Sequence, residues 1–434
     1  MLLRYQVSNF RSIMDAIEIS MVAVDEERSA ARRFELLAES VLTVAGIYGP
    51  NASGKSNVVS SLAWLSSAVR HSLLAWEKKI PREPFRFGHG PRGPSTFEVD
   101  MTVRGVRYSY ALELDDSSVI FEALYSYPER RRRTLFERSG MDLQLRRGLG
   151  AISGARELLT PTTLALSAAT RFSEPEVTPF GRQLGEIMTQ GIGRRPRVRS
   201  GSGIVFVGGG RVHSPSTEKL FLGEGDEQLR LLFDDESPPP MYGRREALAL
   251  LRFADMGISD VHLAQYQEPD NETRRRIMLV HRTANEEIPF ELGDESEGTQ
   301  MWFSLIGPVL MALRRGRLLL FDEIDASLHP RLTARLVELF QDPEMNPGGA
   351  QLVFTTHDTS LLNVLNRDEV WLTEKGEEGA TSLTALAEYG GDKVRRSLNL
   401  ERAYLQGRFG AVPEFDQVQL KHALGMDAFR KSDG

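Results

Sequence analysis

The chain has 434 residues, no cysteine, 41% hydrophobic and 26% charged residues, and a formal net charge of −7 at pH 7. That length supports a large core expected to divide into packed units, and the lack of cysteine excludes a disulfide framework or a thiolate metal centre. No apolar run approaches the roughly 20 residues of a membrane span and no signal-peptide core opens the chain, so a cytoplasmic protein without membrane contact is expected; the acidic balance excludes a uniformly basic nucleic-acid binder but not a local basic stripe.

Residues 2 to 21, LLRYQVSNF and then RSIMDAIEISM, alternate as an opening β-hairpin. Residues 22 to 40 are charged and Ala-rich and read as a loop or short helix. An apolar run, Val41 to Tyr48, leads into Gly49-Pro50-Asn51-Ala52-Ser53-Gly54-Lys55-Ser56, after which Val58, Val59, Leu62, Leu65 and Val69 recur at roughly helical spacing up to about Trp76. Strand, glycine loop and helix together form the setting in which G-x-x-x-x-G-K-[ST] binds phosphate instead of making a plain tight turn. The backbone N–H groups of such a loop converge on the β-phosphate at the positive end of the helix. Asn51, Ser53, Gly54, Lys55, Ser56 and Asn57 are therefore the candidate nucleotide-binding residues, with Lys55 reaching the β- and γ-phosphates and Ser56 ligating Mg²⁺.

The Pro- and Gly-rich stretch IPREPFRFGHGPRGPS is irregular. Three runs, Thr96 to Val103, Val106 to Leu114 and Ser118 to Tyr127, then read as an antiparallel meander. Arg130 to Arg133 is either a solvated turn or a nucleic-acid contact. Residues 150 to 195 read as helical, without the sustained heptads of a coiled-coil arm. From Gly191 to Ser216 the chain is basic and Gly-rich, a loosely ordered insertion more than a second phosphate loop, because no Gly-Lys-Ser/Thr follows. Arg194, Arg195, Arg197 and Arg199 are its candidate polyanion contacts. A break at Asp234 to Pro240 precedes a helix over Arg244 to Met256 and strands near Ile258 to Gln265 and Arg275 to His281.

Ser296-Glu297-Gly298-Thr299-Gln300 opens a helix through Leu313, and its serine hydroxyl, glycine amide and helix N-terminus make an anion site. Arg317 to Phe321 reads as a buried parallel strand that ends in Asp322 and Glu323. Acids at the carboxyl end of such a strand lie where ligands bind. Asp322 is read as the Mg²⁺ ligand and Glu323 as the group that polarises the attacking water. Gln351 to Thr355 is a further buried strand, followed by Thr356-His357-Asp358.

In this order the motifs resemble those of ABC-type ATPase heads outside the transporters, of the RecF, SMC and OLD kind. Asn9-Phe10-Arg11-Ser12 resembles the start of such heads. Ser296 to Gln300 resembles the LSGGQ signature, with Glu297 in place of a small residue and Thr299 in place of the second glycine; Ile324 to Pro330 resembles the D-loop. The tail, with Asp368-Glu369-Val370-Trp371, Val394-Arg395 and Tyr404 to Pro413, looks like the bacterial RloA/abortive-infection group of AAA/ABC ATPases.

The resemblance implies an α/β fold, an ABC-type (RecF/SMC-like) P-loop ATPase head with an antiparallel β lobe and a helical insertion, both sheets drawing on the two chain ends. Residues 1–145 and 286–434 would form the halves of the head and 146–285 a lid-like insertion. It implies ATP, Mg²⁺ and a homodimer of heads with ATP between them. Ser296 and Gly298 would then cap the partner's γ-phosphate, Asp325 would communicate across the dimer, and Glu323 and His357 would be catalytic, His357 sensing the γ-phosphate. The glutamine usual between the phosphate-loop helix and the signature is missing, since no Gln occurs between Asn57 and Leu143; Glu83, Arg86 and Glu122 stand in its neighbourhood. The implied role is the ATPase of an anti-phage system that controls an effector or toxin protein encoded elsewhere. The alternative is a RecF-like DNA-repair clamp that grips nucleic acid through the arginine-rich segments. A self-contained nuclease of the OLD kind is disfavoured, because too little chain follows His357 for a further metal-binding domain.

Overall fold

The computed structural model describes residues 1–410 except 27, 29, 35–38, 193–197, 201–202, 206–214, 222–242, 268–272, 327 and 390–398. Arg194, Arg195, Arg197, the break at Asp234 to Pro240, Val394-Arg395 and the tail from Ala411 to Pro413 lie outside the described residues.

Strands β1 (Leu2–Ser8) and β2 (Ile17–Ser20) form the opening hairpin. A second hairpin, β3 (Ala31–Phe34) with β4 (Glu39–Leu42), occupies the stretch expected as loop or short helix. Its charged residues override no strong helical signal: Val41 and Leu42 are fully buried, and pairing with them draws Ala31 and Arg32 into a strand. Strand β5 (Val44–Tyr48) enters the glycine loop, and α1 (Lys55–Ala75) leaves it. The expected meander is β6 (Ser95–Val103), β7 (Val106–Leu114) and β8 (Val119–Tyr127), and it continues through β9 (Arg133–Ser139) and β10 (Asp142–Leu145).

Helices α2 (Ala165–Ala169) and α3 (Thr178–Gly185) precede β11 (Met188–Gln190). Next come the hairpin β12 (Val198–Ser200) and β13 (Gly203–Val205), then α4 (Pro215–Leu220) and α5 (Arg244–Ala254). An antiparallel sheet of β14 (Ile258–Gln267), β15 (Thr273–Arg282) and β16 (Glu287–Glu291) follows. The rest is α6 (Glu297–Arg315), β17 (Leu318–Phe321), α7 (Pro330–Gln341), β18 (Gln351–Thr355), β19 (Val370–Lys375), β20 (Thr381–Ala385) and α8 (Leu400–Leu405).

Two sheets organise these elements. The antiparallel one has the order β10-β9-β8-β7-β6-β1-β2, and the other the order β11-β17-β18-β5-β19-β20. The second is parallel except at β20. Only this sheet draws on both chain ends; the antiparallel sheet is built wholly from the first 145 residues, which corrects the expectation that both would be shared. Strands β6 to β10 pair hairpin after hairpin, and β1 of the opening hairpin closes the sheet by pairing with β6, so no strand beyond residue 145 enters it.

Helix α1 lies between the sheets. Its Val58, Val59, Leu62, Leu65 and Val69 join one core with Tyr5, Phe97 and Tyr110 of the antiparallel sheet and Leu318, Leu320 and Val353 of the parallel one. The alternate residues Leu319, Phe321, Leu352 and Phe354 face a second core with α6 and α7. Strand β17 is thus apolar on both faces, as a strand buried between layers must be. Residues 146–285, expected as one insertion, divide between these cores. Leu164 and Phe180 enter the first, whereas Leu251, Val261 and Leu279 enter the second. Within the first core Glu122 and Arg138, both fully buried, make an ion pair. Glu122 also accepts from Tyr110 Oη at 2.9 Å and from the amides of Ala165 and Leu166 at 2.6 and 2.8 Å. Gln351 ties the sheets at their other end, accepting from Leu2 N and donating to the carbonyls of Leu2 and Leu42 at 2.9 Å each.

Candidate active site at the carboxyl edge of the parallel sheet

Parallel strands β17, β18 and β5 are adjacent, so their carboxyl ends present Asp322, Thr355 and the glycine loop side by side. The outer two are two strand spacings, or about 10 Å, apart. Gly49 has φ 147°, Ala52 63° and Gly54 110°, conformations that turn successive amides inward. No acidic residue stands in the first turn of α1, so its positive end is open to an anion. Glycine is required for a second reason: a Cβ on Gly49 would collide with the Thr373 carbonyl, and one on Gly54 with the Thr381 hydroxyl. Strands β19 and β20 therefore press on the loop. Ser53 Oγ bonds Thr373 Oγ1 at 2.6 Å, Thr381 Oγ1 donates to Ser53 O at 2.8 Å, and Asn57 Nδ2 donates to Ser12 Oγ at 2.6 Å.

Lys55 is only 6% exposed. Its Nζ donates to the carbonyls of Gly49 and Pro50 at 2.8 and 3.0 Å. Burial pushes its pKa below the ordinary lysine value, while Asp325, Glu323 and Asp322 pull the other way. The ammonium is thus held inside the loop, within the field of three carboxylates. Asp322 is buried, and Thr355 Oγ1 donates to its Oδ1 at 2.6 Å while accepting from Glu323 N at 2.8 Å. One hydroxyl fixes both acids. The Glu323 carboxylate is exposed, and the residue has φ 56°, a left-handed conformation that costs a non-glycine residue on the order of 1 kcal/mol or more. Asp325 accepts from Thr356 Oγ1 at 2.8 Å and from His357 N at 3.2 Å, which ties the D-loop-like segment to the histidine. The His357 side chain is exposed. The Ser56 hydroxyl and the Asp322 carboxylate are hard oxygen donors of the kind magnesium takes, and buried Lys55 with its open loop fits a triphosphate.

Ser296 and Gly298 stand apart from this cluster. Ser296 caps α6, its Oγ accepting from Thr299 N at 3.2 Å, and it is exposed. Gln300 Nε2 donates to the carbonyls of Gly293 and Glu295 at 3.2 and 2.8 Å, so the glutamine braces the turn before the helix. Neither Ser296 nor Gly298 hydrogen-bonds the glycine loop or the segment Asp322 to Asp325 among the described residues. Asn51 is exposed at the tip of the loop.

Several contributors were not singled out as site residues by the sequence, although Ser12 belongs to the Asn9-Phe10-Arg11-Ser12 segment that resembles the start of ABC-type ATPase heads. Thr355, Thr373 and Thr381 act through strand order, and Ser12 acts from the turn after β1. Gly191, expected only as the start of an insertion, has φ 71° and no room for a Cβ against the Asp322 carbonyl, because the end of β11 receives the Asp322 amide at Gln190 O, 2.9 Å away. Of the three residues near the missing glutamine, Glu122 belongs to the buried ion pair and is removed from consideration. Arg86 is exposed. Glu83 pairs with Arg11 at 3.1 Å, next to the Ser12 that braces Asn57.

A glycine-loop strand one strand removed from an acid-tipped strand, in a parallel sheet backed by an antiparallel lobe, defines an ABC-type P-loop ATPase head of the α/β class. The chain belongs to the family described as AAA domain, putative AbiEii toxin, type IV TA system, whose profile matches residues 44–187 and 235–363. Solved structures similar to it include an SMC head bound to the C-winged helix domain of ScpA, at 13% identity and TM-score 0.44, covering 88% of this chain and 97% of that one. Another is the SMC head domain from Thermotoga maritima, at 12% identity and TM-score 0.37, covering 88% and 98%. A third is an SMC head with an extended coiled coil bound to the C-terminal domain of ScpA, derived from Pyrococcus furiosus, at 13% identity and TM-score 0.39, covering 89% and 97%. None of the curated proteins compared with the chain matches it. No helix among the described residues is long and apolar enough to cross a membrane.

Proposed function

We propose that the chain hydrolyses ATP and works as a switch in which two heads close on two nucleotides. The observation that carries this reading is the convergence of buried Lys55 and of Asp322, Glu323 and Asp325 on the carboxyl edge of one parallel sheet. Lys55 and the N-terminus of α1 neutralise the β- and γ-phosphates. Ser56 and Asp322 would hold magnesium, which supplies further neutralisation of phosphate charge. Glu323, its carboxylate exposed and free of internal hydrogen bonds among the described residues, polarises water for in-line attack, and Asp325 positions the backbone of His357 beside it.

Exposed Ser296 and half-buried Gly298 act in trans. Helix α6 joins β17 through Gly316 and Arg317 alone and so runs back along it. Its 19 residues span about 28 Å, against about 13 Å for the four of β17. That length would carry the signature past the carboxyl edge, and this supports a meeting with a second head.

The test is the solution mass of the Glu323→Gln chain by light scattering, with and without Mg-ATP. A nucleotide-driven shift from monomer to dimer, lost in Ser296→Arg and absent in Lys55→Ala, is expected; a mass indifferent to nucleotide overturns the sandwich. Phosphate release by the parent chain, and none by Glu323→Gln despite retained ATP binding, is the matching catalytic result.

We further propose a cytoplasmic role in anti-phage defence, with the nucleotide cycle controlling an effector protein encoded elsewhere; the family description, which names a putative toxin and a type IV TA system, supports a part in a system of toxin type. Phage challenge of cells carrying the gene with its neighbours, in parent and Lys55→Ala forms, tests that role. Equal protection by the two removes ATP from it.

One observation favours a second reading, a clamp on nucleic acid. Arg104, in the turn between β6 and β7, Arg107 on β7, Arg130 to Arg132 between β8 and β9, and Arg133 at the start of β9 gather at one end of the antiparallel sheet. The Arg132 guanidinium lies 3.8 Å over Tyr125 and that of Arg107 5.3 Å over Tyr127. Duplex binding that weakens steeply with salt is expected of this reading, and the log–log slope should fall by about one for each of Arg131 and Arg133 changed to Ala. An unchanged slope excludes this end of the sheet.

A further inference from the structure

Three side chains of ligand type converge on a second point, away from the glycine loop. Asp255 ends α5, His281 lies near the end of β15, and Glu295 directly precedes Ser296. Their ligating atoms all lie within 4.8 Å of one another, and each residue is half-buried. His281 Nε2 is 2.7 Å from Glu295 Oε1. Asp255 Oδ1 accepts from Gly257 N at 2.8 Å, which sets that carboxylate's orientation.

Two further features mark the cluster as built. Gly257 keeps its space open, since a Cβ there would lie 3.1 Å from Asp255 Oδ1 and 3.4 Å from His281 Nδ1. The Phe290 ring meets the imidazole edge-on, with centroids 5.1 Å apart and planes at 83°, and so fixes its tilt. Charge does not balance within the cluster. Two carboxylates face one imidazole, and among the described residues no lysine or arginine pairs with either acid. The basic residues closest in sequence are engaged elsewhere: Arg252 with the carbonyls of Ile258 and Ser259, Arg282 with Glu287 at 3.0 Å.

We propose that Asp255, His281 and Glu295 form a binding site for a divalent transition-metal ion of the zinc class, with water completing the coordination. One imidazole nitrogen and two carboxylate oxygens are a donor set that zinc accepts, and a divalent charge offsets both acids. The ion would join the end of α5, β15 and the residue before the signature serine, three pieces of chain brought together only by the fold. Its consequence for the trans contact of Ser296 rests on the proposed sandwich; its existence does not.

The experiment uses the full chain, stripped with chelator and free of nucleotide and magnesium. Zinc is titrated against a chromophoric competitor, and bound metal is counted by elemental analysis after gel filtration. One zinc per chain at micromolar free metal is expected. Affinity should fall at least about 100-fold in His281→Ala and in Asp255→Asn, and should be unchanged in Asp322→Asn, which separates this site from the nucleotide edge. Cobalt in place of zinc gives a visible absorption band that His281→Ala abolishes. If His281→Ala fails to fold by circular dichroism, Glu295→Gln, which preserves shape, makes the same comparison. Absence of bound zinc in the parent chain, or equal affinity in parent and ligand variants, overturns the proposal and leaves a plain His281–Glu295 hydrogen bond.

Discussion

The Thr355 hydroxyl touches Asp322 and the Glu323 amide at once, so removing it disturbs both acids without emptying the glycine loop. Thr355→Val, close in shape, is expected to lower turnover about 10- to 100-fold while leaving magnesium-free nucleotide binding unchanged; a phosphate-release assay beside a binding titration separates the two. At Lys55 the sign of a proton exchange follows from burial. The free chain holds this ammonium below its ordinary pKa, and incoming phosphates raise it. At alkaline pH, where the free lysine is partly deprotonated, ATP binding therefore takes up protons, whereas near neutrality it takes up none. Calorimetry in buffers of different ionisation heat reads that uptake, and release of protons would contradict the assignment. Lys55, Ser56, Asp322 and Glu323 could be singled out because short motifs set their spacing, and adjacent strands bring them to one sheet edge. Thr355, Thr381 and Gly191 could not, because each acquires its neighbour only when strands distant in sequence become adjacent.

The elements repeat that division. Strands with strong alternation or unbroken apolar runs, and α1, α5 and α6 with their periodic faces, stand where the pattern places them. Strands β3, β9 and β10 lie in charged, irregular stretches and are selected by partners, for example β9 by nine-residue β8 beside it. The fully buried Glu122–Arg138 pair likewise has no signature in sequence, yet it joins β8 and β9 to the start of α2, and Arg138 also donates to the Thr160 and Thr163 carbonyls. Burial raises the Glu122 pKa and Arg138 opposes that shift. Arg138→Met strands a buried acid and is expected to cost about 3–5 kcal/mol in urea denaturation. Adding Glu122→Gln should recover part of the loss, since a neutral amide needs no counter-ion.

At the scale of the whole molecule, the core of the nucleotide edge alternates between chain ends: β17 and β18 from the last third, β5 from near the start, then β19 and β20 from the last third again. The general head architecture was legible from the order of its motifs, whereas the assignment of one sheet wholly to the first 145 residues required the pairing itself. The interleaved order has a consequence for synthesis on the ribosome. The antiparallel lobe can close once residue 145 has emerged, β6 to β10 by successive hairpins and β1 by pairing with β6. Strand β5, though made early, is flanked on one side by β18 and on the other by β19, neither of which exists until residues 351 to 375 have been translated. A nascent chain halted before β18 should therefore carry an intact Gly49–Ser56 motif and yet retain no ATP on an affinity resin. The unfinished polypeptide is catalytically silent by topology alone, and a translating cell holds no stock of half-made heads able to consume nucleotide or trigger a partner.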